Sequence, residues 1–491
     1  MNSDALGELD DSEIITARRK ACGAGALDAE EVPPTPRADV GVLLVHGIGN
    51  HREGVTLRAF GQPLLDWLKD WLRGKGAEHA RGDVVVSEAR FNNAEAPAYA
   101  LAQVSRVDRD SSEKSQKESW LFCEGWWGST VQSPASLQLL RWMWTRGPLL
   151  IYWHFYIRQT AGEKSKQTDL LFSLLALLLA SFSQVVIGIA MLLSLIPIGP
   201  WRQKIVAAVR VLTLTLGDSY VLEEDIQRAA LVERVRRALD WLTKRTKQMV
   251  VIAHSQGAAI AHEVLRQSAP DNLSMFITVG SGLEKLHFLR EVVISRRGLI
   301  VAWLIFPLAA AGGAMALSAI SSTAERWEIG LGVTPLFVAL VLASALIDLL
   351  KSYKEQLSKA VSALELPRLG HEQWIDIYAS DDVVPMNRGS LLDKAHFLVR
   401  RKVYTERSYV RDHVAYFTNV NDCVPRLWEA LAGLSRLRLF NPGDKGRLRR
   451  FARVHKAYAH IISFSRLALF IAVFFSGYVL RNSCLVSAIR F

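Results

Sequence analysis

The chemistry most legible in this sequence lies between residues 249 and 266. Met249-Val250-Val251-Ile252-Ala253 is fully apolar and runs into His254-Ser255-Gln256-Gly257, and Ala258–Arg266 then favours helix. Strand, sharp turn and helix with a serine at the apex are the requirements of a nucleophile elbow. The serine backbone there is strained, so the residues two before and two after it must be small. Ala253 and Gly257 meet that need, with alanine standing where G-x-S-x-G has its first glycine. The plainer alternative is an ordinary strand-to-helix turn in which Ser255 caps the helix.

A serine hydroxyl needs a general base, and the base needs a group to orient it. With an elbow serine the chain order is Ser, acid, His. Trp374-Ile375-Asp376-Ile377-Tyr378-Ala379 reads as a strand ending in Ser380-Asp381-Asp382-Val383-Val384-Pro385. Asp381 and Asp382 both stand just past that strand end, where an orienting carboxylate belongs; Asp381 is the first choice, and the other becomes a solvated turn residue. Downstream, His413 in Asp412-His413-Val414-Ala415-Tyr416 is the expected base, in a polar loop ahead of a terminal helix at 422–434. His254 adjoins the serine, but the elbow holds it where its ring cannot easily face the Ser255 hydroxyl.

An oxyanion hole needs two backbone N–H donors aimed at the developing charge. Gln256, directly after the nucleophile, supplies one. The other is expected from Ile48 or Gly49, in the turn His46-Gly47-Ile48-Gly49 after the early apolar run Gly41–Val45. Glycines there let the backbone approach a substrate closely. No motif calls for a metal or a cofactor.

These residues need a scaffold. Apolar runs at 41–45, 249–253, 275–280 and 374–379, with 83–91, read as strands. Residues 224–245 read as an amphipathic helix, with Leu231, Val235, Leu239 and Leu242 on one face and Glu233, Arg237, Asp240 and Lys244 opposite.

The 491 residues are 50% hydrophobic and 22% charged. Those values exclude a disordered, coiled-coil or collagen-like chain. The apolar half is concentrated. Residues 170–201, 298–324 and 329–347 carry no charge, and a bilayer core takes about 20 apolar residues as helix. The 298–347 pair reads as a membrane hairpin. Residues 170–201 read as a hairpin of two short helices, a re-entrant pair, or a buried or interfacial segment, and 467–480 as a shorter spanning or interfacial stretch. Residues 1–37 form a polar leader without a secretory core. Cys22, Cys123, Cys423 and Cys484 have neither disulfide-framework nor zinc spacing.

The net charge of +11, from 59 Lys+Arg against 48 Asp+Glu, allows an anionic partner. Part of it brackets the apolar stretches at Lys164, Lys166, Arg202, Lys204, Arg296, Arg297, Lys351 and Lys354. The far turn carries Glu325, Arg326 and Glu328. Excess Lys/Arg marks the cytoplasmic side, so the catalytic part is expected to face the cytoplasm. Residues 436–456 interleave basic and apolar side chains, which suits an anionic membrane surface better than nucleic acid.

Together, His46-Gly47-Ile48-Gly49, Ala253-His254-Ser255-Gln256-Gly257, Asp381-Asp382-Val383-Val384-Pro385 and Asp412-His413-x-x-Tyr416 resemble the α/β-hydrolase superfamily. The likeness is to its lipase- and esterase-like membrane-associated branch with an HGIG oxyanion turn. The resemblance covers roughly 38–130, 205–290 and 370–435. It implies a mostly parallel sheet with helices on both faces and a Ser–Asp–His triad that forms an acyl-enzyme. The expected organisation is a leader at 1–37, a hydrolase domain at 38–435 interrupted by membrane segments 170–201 and 298–350, and a membrane-associating tail at 436–491. The expected function is a membrane-integral serine hydrolase of an ester or thioester, with a lipid acyl ester as the natural substrate and membrane lipids as partners. A catalytically silent hydrolase-fold scaffold is the competing class, and a transporter component ranks last.

Overall fold

The computed structural model describes residues 38–47, 52–75, 80–91, 96–108, 115–130, 137–147, 179, 182–192, 220–291, 308, 311, 364–385, 390–405, 408, 411–440, 443–444, 446–462 and 465. The predicted leader at 1–37, the hairpin at 298–347 apart from residues 308 and 311, and the stretch 467–480 therefore lie outside the described residues, as does most of 170–201. Among the described residues no helix is long and apolar enough to cross a membrane.

Eight strands form one sheet: β1 (Ala38–Val45), β2 (Ala80–Arg90), β3 (Tyr99–Asp108), β4 (Gln116–Glu124), β5 (Thr246–His254), β6 (Leu273–Val279), β7 (Trp374–Ala379) and β8 (Val399–Val403). Their spatial order is β2-β3-β4-β1-β5-β6-β7-β8. The pairs β2–β3 and β3–β4 are antiparallel, and all the others are parallel. The sheet is therefore mostly parallel, with β3 reversed.

Both faces are covered, which is why the central strands read as continuous apolar runs rather than alternating ones. Val40, Val42 and Leu44 of β1 and Val250 and Ile252 of β5 point to one side. There they meet α1 (Gln62–Asp70) through Leu64, Leu65 and Leu68, and a later helix through Val424, Leu427 and Trp428. Leu43 and Val45 of β1 and Met249, Val251 and Ala253 of β5 point to the other side. They pack on α2 (Asp225–Thr243) and α3 (Gly257–Ser268). Leu231, Val235, Leu239 and Leu242 of α2 are all buried. Each such burial is worth about 1.5–3 kcal/mol before entropy is counted.

Two further helices complete the described core, α4 (Leu283–Glu291) and α5 (Cys423–Leu431). The Trp428 indole N–H donates to the Leu64 carbonyl at 2.7 Å, locking α5 to α1. Leu437, Leu439 and Leu448, which the sequence assigns to the tail, join the same core. Helix 182–192 packs on helix 137–147 by way of Gln184, whose side-chain amide reaches the Trp144 carbonyl at 3.5 Å. It leaves Phe182, Val185, Val186, Ile189 and Leu192 exposed.

Candidate active site

The C-terminal ends of β1, β5, β6 and β7 lie side by side, because their registers align Val45 with Ala253, His254 with Val279, and Val279 with Ile377. Ligands in open α/β sheets bind at that edge. β1 delivers His46-Gly47, β5 delivers Ser255, β6 delivers Gly280, and β7 delivers Asp381-Asp382.

Ser255 has φ +56°, and no other described residue except glycine has a positive φ. Its conformation is held on both sides. Its N–H donates to the Val279 carbonyl at 3.0 Å, and its carbonyl accepts from Gly282 N–H at 3.0 Å. Strain held in place by its surroundings in this way clusters at functional sites. The small neighbours have a measurable reason. A Cβ on Gly257 would lie 2.1 Å from the His46 carbonyl oxygen, and one on Gly47 would lie 2.5 Å from Ser255 Cβ. Ala253 is fully buried against α2 and α3. His46 is buried and stacks on Trp127 at 4.5 Å, and the Trp127 indole donates to its carbonyl.

A chain of hydrogen bonds leads away from the serine. Ser255 Oγ lies 2.8 Å from His413 Nε2. His413 Nδ1 lies 2.9 Å from Asp382 Oδ2. An ionised carboxylate only accepts, so Nδ1 carries the proton and Nε2 is left to accept from the serine hydroxyl. Asp382 is fully buried. Its Oδ2 also accepts from the Tyr416 hydroxyl at 2.7 Å, and its Oδ1 accepts from Val384 N–H at 2.8 Å. The Tyr416 oxygen in turn accepts from Ala379 N–H at 2.8 Å, which directs its own proton toward Asp382. Burial and the adjacent Asp382 push the Tyr416 hydroxyl well above the ordinary phenol range, so it stays a donor.

Of the two candidate acids the structure brings Asp382 to the histidine. Asp381, the sequence's first choice, accepts instead from the Ser380 hydroxyl at 2.8 Å. His413 sits in a short helix, Arg411–Val414, where the sequence suggested a loop. The His254 Nε2 donates to the His413 backbone carbonyl at 2.8 Å. It thus anchors the segment that carries the base. Gln256 is buried and follows Ser255 at the start of α3. Ile48 and Gly49 lie outside the described residues.

Three contributors were not read from the sequence. Gly280 has φ +56°, and a Cβ there would lie 2.6 Å from the Tyr416 ring and 3.1 Å from Asp382 Oδ2. Tyr416 figured only as part of a motif, without a role. Lys285 donates to the Val383 carbonyl, inside the acid loop. Burial lowers its pKa to about 8, against the opposing pull of Asp382 and Glu284. A Gly just past one strand end and a Tyr three residues after the base were the available signals. Lys285 offered none.

Among the described residues no group of three or more His, Cys, Asp and Glu side chains is placed to hold a metal ion. The arrangement can activate a hydroxyl, hold the resulting imidazolium beside a buried carboxylate, and carry an acyl group on the serine. No protein-family model, curated protein or solved structure matches the chain.

Proposed function

We propose that the chain is a serine hydrolase of the α/β-hydrolase type that cleaves an ester or thioester through an acyl-enzyme. One observation carries this reading: the hydrogen-bonded line from Ser255 Oγ through His413 to the buried Asp382, with the serine on a left-handed turn between strand and helix. His413 Nε2 takes the hydroxyl proton as Ser255 Oγ attacks the carbonyl carbon. The oxyanion is met by the Gln256 amide and by the Ile48 or Gly49 amide. Collapse of the adduct breaks the bond to the leaving alkoxide or thiolate, which receives the proton from His413. Water, deprotonated by the same histidine, then releases the acid and restores the serine. Asp382 fixes the ring and stabilises its charged form, and Tyr416 and Val384 fix Asp382.

The substrate we propose is a lipid acyl ester. The uncharged stretches 170–201 and 298–347 would hold the protein in a membrane, with the catalytic part on the cytoplasmic side. The outward apolar face of helix 182–192 supports contact with an apolar phase. The test is active-site labelling. The full chain in detergent should react with a fluorophosphonate probe and hydrolyse short-chain p-nitrophenyl esters, and Ser255→Ala should lose both. A wild-type chain that is neither labelled nor active would mark the fold as a silent scaffold.

A further inference from the structure

Helix 446–462 presents three distinct faces. Leu448 and Ala459 are buried against the domain. Phe451, Val454, Tyr458 and Ile461 fall at i, i+3, i+7 and i+10, a single stripe at about 100° per residue. That stripe is exposed, at 48%, 64%, 59% and 64%. Arg450 and Arg453 border it on one side, with Arg449 and Lys456 beyond them, and the helix contains no acidic residue. Positive charge accumulates around its inner edge too. Lys456 and Lys402 both lie over the Tyr404 ring, at 4.8 and 5.2 Å. A cavity of about 400 Å³ between this helix, β8 and α5 is lined by Arg401, Lys402 and Arg449 together with the carboxylates Asp422 and Glu429.

We propose that this exposed face docks on an anionic membrane surface, with the apolar stripe in the acyl boundary and the arginines at the head groups. Three observations select that occupant. A wholly basic polar side beside an apolar stripe is complementary to anionic lipid. Nucleic acid would engage the arginines but leave the stripe in water. The chain also continues from this helix into the uncharged apolar run 467–480. The proposal does not rest on the triad. It orients the domain through a surface remote in sequence from Ser255.

The experiment uses the full chain with Cys22→Ser and Cys484→Ser, since Cys123 and Cys423 are buried. Val454→Cys carries a bimane label in vesicles of phosphatidylcholine, with or without phosphatidylserine, containing nitroxide lipid. The expected result is quenching that is several-fold stronger in the anionic vesicles and falls at high salt as the charges are screened. Arg450→Gln with Arg453→Gln should erase most of that difference while leaving ester hydrolysis in detergent intact. A label at Ile226→Cys, 87% exposed in the native chain, controls for indiscriminate adsorption. Three results would overturn the proposal: no quenching in either vesicle, equal quenching in both, or a blue-shifted label that nitroxide lipid fails to quench. The last would mean that protein covers the stripe.

Discussion

At the scale of single residues, the decisive choice is between two adjacent aspartates. Both follow β7, and neighbouring positions in a turn point different ways, so composition and spacing cannot rank them. What ranks them is distant in sequence: Gly280 opens the space and Tyr416 fills it with a donor. Asp382→Asn would keep the shape but present an amide N–H or a weaker acceptor to His413 Nδ1, favouring the wrong tautomer. The expected loss is roughly 10³–10⁴-fold in turnover, the scale of such a change in a serine triad. Asp381→Asn should stay within about twofold, since its hydrogen bond goes to Ser380 and surface substitutions of this kind are usually mild. Rates of fluorophosphonate labelling for the two variants decide the matter, and equal losses would remove Asp382 from its role. The serine, the histidine and the pair of acids were legible because each sits at a sharp change in pattern. The acid's identity was not, because it is set by packing across the sheet.

At the scale of elements, the site exists because four strand ends coincide and each ends on a residue suited to its turn. Gly280→Ala tests that dependence without touching a reacting group. A left-handed non-glycine residue costs about 1–2 kcal/mol, and the methyl must also displace the Tyr416 ring or Asp382. The expected outcome is a drop of at least tenfold in turnover, with α2 and α3 still folded by circular dichroism. A second element-level dependence lies behind the nucleophile. His262 on α3 is buried, and its Nε2 donates to the Leu364 carbonyl at 2.7 Å. Burial lowers its pKa from 6.5 to about 4. The unfolded chain therefore binds the extra proton between those values, and stability falls as pH drops through 6.5, levelling near 4. The expected loss from this group is about 2 kcal/mol between pH 7 and pH 5. His262→Gln, which can still donate to that carbonyl, should remove most of this slope in denaturant titrations; an unchanged slope would assign it elsewhere. The sequence showed β5, β6, β7 and α2 because their burial makes unbroken or strictly periodic apolar patterns. It hid β3 and β4, whose polar residues, such as Gln103, Ser105, Glu118 and Ser119, interrupt the pattern near the edge of the sheet.

At the scale of the whole molecule, sheet topology constrains how the chain can meet a membrane. β1 and β5 are parallel neighbours paired from Ala38–Thr246 to Val45–Ala253, although residues 170–201 lie between them in sequence. β6 and β7 are parallel neighbours as well, although 298–347 separates them. One rigid sheet occupies one side of a bilayer, so each intervening stretch must cross an even number of times or not at all. If 298–347 crosses twice, as proposed above, residues 322–328 would lie on the far side. If that stretch crosses, the basic flanks at Arg296, Arg297, Lys351 and Lys354 would favour the sheet on the cytoplasmic side by the positive-inside tendency. A cysteine introduced at Ser322 should then react with a membrane-impermeant maleimide applied from outside intact cells, while Ile226→Cys on the domain should react only after permeabilisation. If Ile226→Cys reacts from outside and the cysteine at Ser322 requires permeabilisation, the orientation is reversed; if both react from outside, residues 298–347 do not cross and the domain lies outside. If both require permeabilisation, residues 298–347 do not cross, and the uncharged stretch lies against the same membrane face as the site.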